Sequence, residues 1–318
     1  MSLSNSDRRY VISDAERPSA LAGKRILVTR PRAQAADLCD KLAALGAEPI
    51  LFPTIEIAPM EDYSALDRAI TALDWPEGRA RYQWVIFTSV NGVAAFWERL
   101  SVGAGGSTFA HHAPAPPAHL QFAAIGPATA RALEQRGVRV TFIPDEYVAE
   151  AIVEGLGDVN GQWILLPRAD IAREALAVEL SRRGAVVHEI AVYRTLPTAL
   201  DPQGLYELRR GVDAITFTSS STARNFVALV SGSPKYIDAA NYRRMGRDGV
   251  PMPSLGRAII ACIGPVTAQT AREVGLPVDV IAHREAYTLD GLVAALADYF
   301  SHPELQLKEN RWIPARSL

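Results

Sequence analysis

The chain repeats itself, and this limits its fold more than any single motif. Leu27-Val-Thr-Arg30-Pro leads into a helix-like run with Leu38, Leu42 and Leu45 that closes at Gly46. Leu165-Leu-Pro-Arg168-Ala leads in the same way into Leu176 and Leu180 and closes at Gly184. The offset is constant, since 168 − 30, 180 − 42 and 184 − 46 each give 138. A second unit also recurs. Trp84-Val-Ile-Phe-Thr-Ser89 matches Ala214-Ile-Thr-Phe-Thr-Ser219, and Ile125-Gly-Pro-Ala-Thr-Ala130 matches Ile263-Gly-Pro-Val-Thr-Ala268. The units run a, b, a′, b′, the order of an internal duplication.

Each unit has a physical reading. Short β-branched runs at Ile26–Thr29, Val85–Thr88, Phe122–Ile125, Ala214–Thr218 and Ile259–Ile263 are expected to be buried parallel strands. Amphipathic stretches follow the strands, at Ala33–Leu45, Gly92–Leu100, Ala128–Arg136, Ala172–Arg183, Thr222–Val230 and Val266–Val274. Gly46, Gly137, Gly184 and Gly275 stand where a helix needs a left-handed cap before the chain turns back. Strand and helix alternating in this way predict an α/β protein: two similar, doubly wound parallel-sheet domains, each a three-layer α/β/α sandwich, joined by a two-stranded linker. A length of 318 residues accommodates two such cores. Pro53–Pro59 and Ile190–Pro197 read as the linkers, and the segments Ser101–His119 and Ser231–Gly256 as insertions in equivalent surface loops.

Composition removes several classes of function. A net charge of −2 offers no basic field, so no nucleic-acid partner is expected. The segment Met1–Gly23 is polar and lacks the apolar core of a secretory signal, and no apolar run reaches the roughly 20 residues that span a bilayer. A cytoplasmic setting with no membrane partner is expected. Cys39 and Cys262 lie far apart in apolar surroundings and read as core residues. His111 and His112 sit in an Ala/Pro stretch without ligand spacing, so no metal site is expected.

In open parallel sheets ligands sit beyond the carboxyl ends of the strands. Those corners read Thr29-Arg30-Pro31-Arg32, Thr88-Ser89-Val90-Asn91, Gly126-Pro127-Ala128-Thr129, Pro167-Arg168, Thr218-Ser219-Ser220-Ser221 and Gly264-Pro265-Val266-Thr267. Helix-start amides, hydroxyls and arginines suit carboxylates or phosphates. A serine or threonine before a helix is usually only its N-cap, and Pro127 and Pro265 suit a first helical turn on structural grounds alone. The chemistry nevertheless recurs at six strand ends. Gly-Pro-x-Thr lacks the spacing of a dinucleotide fingerprint and the lysine of a P-loop, and no nucleophile elbow is present. Groups with acid–base capacity near these ends are few: Tyr193, Tyr147, Tyr287 and Glu56. Residue by residue, the reading stops at a two-domain binder of a polyanion.

An ordered set of segments resembles the uroporphyrinogen-III synthase family. It comprises Leu27-Val-Thr-Arg-Pro, the Leu-Gly-Ala-Glu turn into Pro53-Thr-Ile-Glu-Ile, Ile86-Phe-Thr-Ser-Val-Asn91, Ile125-Gly-Pro-Ala-Thr-Ala and Val192-Tyr-Arg-Thr, within about Lys24 to Ala297. The resemblance implies that the chain starts one domain, builds all of the second, then returns to finish the first. Domain 1 would then span 25–53 plus 198–300 and domain 2 would span 60–190, with linkers at 54–59 and 191–197. Residues 1–24 would be a flexible extension and 301–318 a tail. The linkers would pair as a small antiparallel ladder around Ile55–Ile57 and Ala191–Arg194.

The implied substrate is hydroxymethylbilane, a linear tetrapyrrole with eight carboxylates. It would lose its terminal hydroxyl as water and cyclise with inversion of the last pyrrole, without cofactor or metal, on a monomeric enzyme. Tyr193 matches the family tyrosine that donates to the leaving hydroxyl. Ser89, Thr129, Ser219, Ser221 and Thr267 match hydroxyl positions that contact substrate carboxylates, with the amides of Ala128 and Val266 nearby. Thr29, Asn91 and Gly126 join them as strand-end residues, and Arg30, Arg32 and Arg168 follow from charge matching. A non-catalytic tetrapyrrole-binding module and a two-lobed solute-binding protein are the competing readings. The polar N-terminus argues against the second.

Overall fold

The computed structural model describes residues 19–73, 81–103, 119–144, 149–172, 174–231, 255, 257–283 and 287–302. Among the described residues, ten strands form two five-stranded sheets. The first contains β1 (Arg25–Val28), β2 (Glu48–Leu51), β8 (Ala214–Phe217), β9 (Ile259–Cys262) and β10 (Val280–Ile281) in the order β10-β9-β8-β1-β2, all parallel. The second contains β3 (Ile55–Ala58), β4 (Trp84–Phe87), β5 (Gln121–Ala124), β6 (Trp163–Ala169) and β7 (Val186–Pro197) in the order β3-β7-β6-β4-β5. The a unit therefore lies beside b′ and the b unit beside a′, because β1 pairs with β8 and β4 with β6.

Each sheet is buried on both faces, as continuous apolar strands require. Leu27 points to the side of α8 (Ser220–Val230) and α9 (Pro265–Glu273), where it meets a core containing Phe226, Ala268 and Ala271. Its neighbours Ile26 and Val28 point the other way, into a core with Leu38 and Leu42 of α1 (Ala36–Ala44) and Leu292 and Leu296 of α10 (Leu289–Ser301). The second sheet repeats this division. Val85 and Phe87 share a core with Leu66 of α2 (Ser64–Leu73), Phe96 of α3 (Val90–Gly103) and Leu133 of α4 (Pro127–Glu134). Trp84 and Ile86 face Ile152 of α5 (Ala149–Gly155) and Leu176 and Leu180 of α6 (Ala175–Arg182). A further helix, α7 (Pro202–Arg209), follows β7. Every such large side chain, fully buried, contributes about 1.5–3 kcal/mol of transfer free energy.

Gly46 and Gly184, equivalent by the repeat offset, both have positive φ (81° and 85°), and both donate back to the preceding helix. The next residues, Ala47 and Ala185, donate to Leu42 and Leu180, which closes each helix in a Schellman-like turn.

Two expectations are corrected. The linker ladder pairs Ile55 with Pro197 through Ala58 with Arg194, three to four positions further along β7 than expected. Ala191 and Tyr193 are already taken by β6, opposite Arg168 and Ala169, so β7 is released to β3 only after Tyr193. Within the N-terminal segment expected to be flexible, Leu21 is fully buried, and its amide donates to the Leu45 carbonyl. The core therefore begins before Arg25. Residues 1–18, 104–118, 232–254, 256 and 303–318 lie outside the described residues, and with them most of both expected insertions, His111, His112 and the tail. Among the described residues no helix is long and apolar enough to cross a membrane.

Candidate active site

Gly126 and Gly264 end the short turns after β5 and β9 in extended conformation, and each is followed by a proline at the first helical position. Proline tolerates that place because its missing N–H would find no helical partner. No side chain caps either helix. The first helical amides to donate within these turns are those of Ala130 and Ala268, to the carbonyls of Gly126 and Gly264. The amides of Ala128 and Thr129, and of Val266 and Thr267, are thus presented at the positive ends of α4 and α9. Both helix starts line one cavity of about 330 Å³, which Thr88, Thr218 and Tyr287 help to enclose. The threonines Thr129 and Thr267 are buried at its wall. The cavity draws on both sheets, so it is a cleft between the two halves of the molecule.

Beside this cleft lies Tyr193. Its hydroxyl is 3.1 Å from Ser89 Oγ, and Ser89 Oγ accepts from the amide of Gly92 at 3.0 Å. Asn91 also acts on the phenol, favouring its ionised form as Ser89 does. Burial pushes the Tyr193 pKa above its ordinary 10.0, partly offset by Ser89 and Asn91, so the phenol holds its proton at neutral pH. A neutral phenol next to a ring of anion-binding amides is equipped to donate a proton and to hold carboxylates.

A family model described as "Uroporphyrinogen-III synthase HemD" matches residues 36–294. A uroporphyrinogen-III synthase of Synechococcus elongatus is 34% identical over 289 residues, covering 90% of this chain and 98% of that protein. The chain belongs to the uroporphyrinogen-III synthase family. A second relative, from Chlorobaculum parvum and also named uroporphyrinogen-III synthase, is 28% identical and covers 81% of this chain and 92% of its own. In structure, a mutant uroporphyrinogen III synthase from Thermus thermophilus aligns with a TM-score of 0.57 at 21% identity, over 89% of this chain and all of that one. That likeness supports the two-domain α/β fold.

Within this uroporphyrinogen-III synthase fold, Gly126, Ala128, Thr129, Val266 and Thr267 of the sequence-derived set meet at the cleft, and Ser89, Asn91 and Tyr193 cluster beside it. The others are not part of the cavity lining. Thr29 is fully buried and donates to the Thr216 carbonyl at 2.6 Å, so it ties β1 to β8. Arg168 is paired with Glu189 of the adjacent strand and donates to the Ala172 carbonyl at 3.0 Å. Ser219 caps α8 in a reciprocal box with Thr222. Ser221 stands one residue inside that helix, and its carbonyl accepts from Asn225. Arg30 donates to the Gln34 carbonyl at 3.0 Å, and burial lowers the pKa of its guanidinium. Arg32 is exposed, 3.5 Å from Asp201.

Sequence reasoning undervalued Thr88, Thr218 and Tyr287, although each stands in a segment already singled out. It missed Gln34, whose side-chain amide donates to Asn91 Oδ1 at 2.6 Å between the two halves of the molecule. Of the remaining candidates, Glu56 is exposed on β3 and Tyr147 lies outside the described residues. Cys262 is buried, which pushes its thiol up to about 12 and fits a core role. Among the described residues there is no group of three or more histidines, cysteines, aspartates or glutamates placed to hold a metal.

Proposed function

We propose that this chain is itself a uroporphyrinogen-III synthase, acting as a monomer in the cytoplasm on hydroxymethylbilane. The observation that carries this reading is the cleft walled from both sheets by the same Gly-Pro-x-Thr helix start. A linear molecule with carboxylates along its whole length gains from two facing sets of amide donors. Held at both ends, it has its reacting carbons brought together, and orientation of this kind contributes up to about 7–11 kcal/mol.

Tyr193 donates its proton to the terminal hydroxyl, which leaves as water while the pyrrole nitrogens supply the electronic push. The last pyrrole then attacks through its substituted carbon, passes through a spiro intermediate and emerges inverted. Ser89 and Asn91 orient the phenol, and the amides of Ala128 and Val266 with the hydroxyls of Thr129 and Thr267 hold carboxylates. Ser219 and Ser221 are second contacts at the α8 start. Arg30 and Arg32 add positive charge near the domain 1 rim. In this reading domain 1 comprises 25–53 plus 198–300 and domain 2 comprises 60–190.

The test is a coupled assay in which hydroxymethylbilane is generated in situ, the protein is added and the oxidised products are separated. Predominantly type III uroporphyrin is expected. Type I alone, from a folded sample, would replace the enzyme with a tetrapyrrole-binding module.

A further inference from the structure

We propose that Gln34 is a positioning residue for Tyr193, acting through Asn91 from the other half of the molecule; this deepens the synthase reading and rests on it. Gln34 sits in a 3-10 turn (Arg32–Gln34) just before α1, in the half of the molecule built on the first sheet, whereas Asn91 on α3 and Tyr193 on β7 belong to the half built on the second. Three contacts set that turn. The Gln34 amide donates to the Pro31 carbonyl at 2.8 Å, the Ala35 amide to the Arg32 carbonyl at 3.3 Å, and Arg30 Nε to the Gln34 carbonyl at 3.0 Å. The side chain then reaches the other half and donates to Asn91 Oδ1 at 2.6 Å.

A side-chain amide has one accepting end and one donating end. When Gln34 occupies the oxygen of Asn91, the NH₂ group of Asn91 is the end left to face the phenol. Asn91 then donates to the Tyr193 oxygen and leaves the phenolic proton for the substrate. If Asn91 were free to flip, its oxygen would accept that proton instead and hold it. Hydrogen bonds in a chain also polarise one another, so the Gln34 contact strengthens the Asn91 donor. Ser89, two residues earlier, holds the phenol from its other side at 3.1 Å. The pair Gln34–Asn91 forms only when the two halves of the molecule are close. It therefore makes the orientation of the phenol depend on closure of the cleft.

The experiment is a double-mutant cycle of Gln34→Ala with Tyr193→Phe, read as kcat and KM for type III product, with Gln34→Glu as a third variant. Gln34→Ala is expected to lower kcat by about 2- to 10-fold, the range of one neutral hydrogen bond, with KM changed less than about twofold. In the Tyr193→Phe background the same substitution is expected to have no further effect, because its target is gone. Gln34→Glu, which accepts but does not donate at neutral pH, should fall at least as far. An unchanged kcat in Gln34→Ala, or an equal fall in both backgrounds, overturns the inference while leaving the synthase reading intact. A wild-type protein that forms only type I product overturns both.

Discussion

Ser219 and Ser89 occupy the same place in the two copies of the b unit, each immediately before a helix, yet their hydroxyls bond differently. Ser219 accepts from the amide of Thr222, and the Thr222 hydroxyl completes the box by accepting from the Ser219 amide. The residue equivalent to Thr222 in the earlier copy is Gly92, since 222 − 130 = 92. It offers no hydroxyl, so Ser89 keeps its link to the Gly92 amide and turns its remaining capacity to Tyr193. A side chain at Gly92 would also crowd the Pro167 carbonyl and Ser89 Oγ, both 3.2 Å from a built Cβ. Tyr193 has its own counterpart at Ile55, because 193 − 138 = 55, and that residue is simply buried. Duplication supplied two like helix starts, and divergence placed the tyrosine beside only one of them.

The sharpest way to break this comparison is to remove the donor. Tyr193→Phe keeps the ring and loses the hydroxyl, and turnover to type III product should fall about 10-fold or more, toward the usual contribution of a general acid. An unchanged rate in the coupled assay, with the fold intact by circular dichroism, would return Tyr193 to a packing role.

The two rims are compared next by Thr129→Val and Thr267→Val, each of which deletes one hydroxyl from the cleft wall. Hydrogen bonds to charged groups contribute about 1.5–3 kcal/mol, so each variant should raise KM by about 10- to 150-fold. If only one of them does so in steady-state kinetics, the substrate leans on a single half of the molecule.

The serines give a smaller effect, and their readouts overlap only in part. Ser219→Ala should lower stability by about 1 kcal/mol in urea unfolding, the cost of an N-cap. Ser89→Ala loses a like contact, to the Gly92 amide, and should in addition lower kcat, because it frees the phenol of Tyr193. Identical behaviour of the two would erase the functional distinction between the copies.

The smallest expected change is in the pH profile. Burial raises the Tyr193 pKa above 10.0, so a phenol acting as the acid is protonated throughout the neutral range. The kcat profile should therefore stay flat through neutrality and fall only where pH exceeds that raised value. A falling limb between about pH 6 and 9, where an unperturbed histidine or thiol titrates, would point to a different proton donor.

Much of this was legible because the repeat marks strands, helices and caps at fixed offsets. The glycines at 46 and 184 mark helix ends whatever packs around them, and the Gly-Pro-x-Thr segments belong to the cleft by virtue of strand-end geometry. What escaped were directions and partners. Arg168 looks like a rim cation from its place after β6, but Glu189, on the neighbouring parallel strand, takes its charge. Thr29 ends an apolar run in the same way as Thr88, yet only Thr88 reaches the cleft, because the Thr29 hydroxyl turns to β8. The Gln34–Asn91 contact joins residues 57 apart in the two halves of the molecule, and no local pattern encodes such a pairing.

The interleaved order of the first sheet also matters while the chain is being made. β1 and β2 leave the ribosome early, but β8, which covers the open side of β1, starts only at Ala214, 163 residues after Leu51. At typical synthesis rates of about 5–20 residues per second, that is a wait of roughly 8–30 s. Through it, a nascent strand carrying Ile26, Leu27 and Val28 has one unpaired edge, while the strands of the second sheet emerge in an unbroken series. A ribosome stalled between β7 and β8 would hold a second sheet with all its strands and a first sheet missing three of five, a natural client for a chaperone.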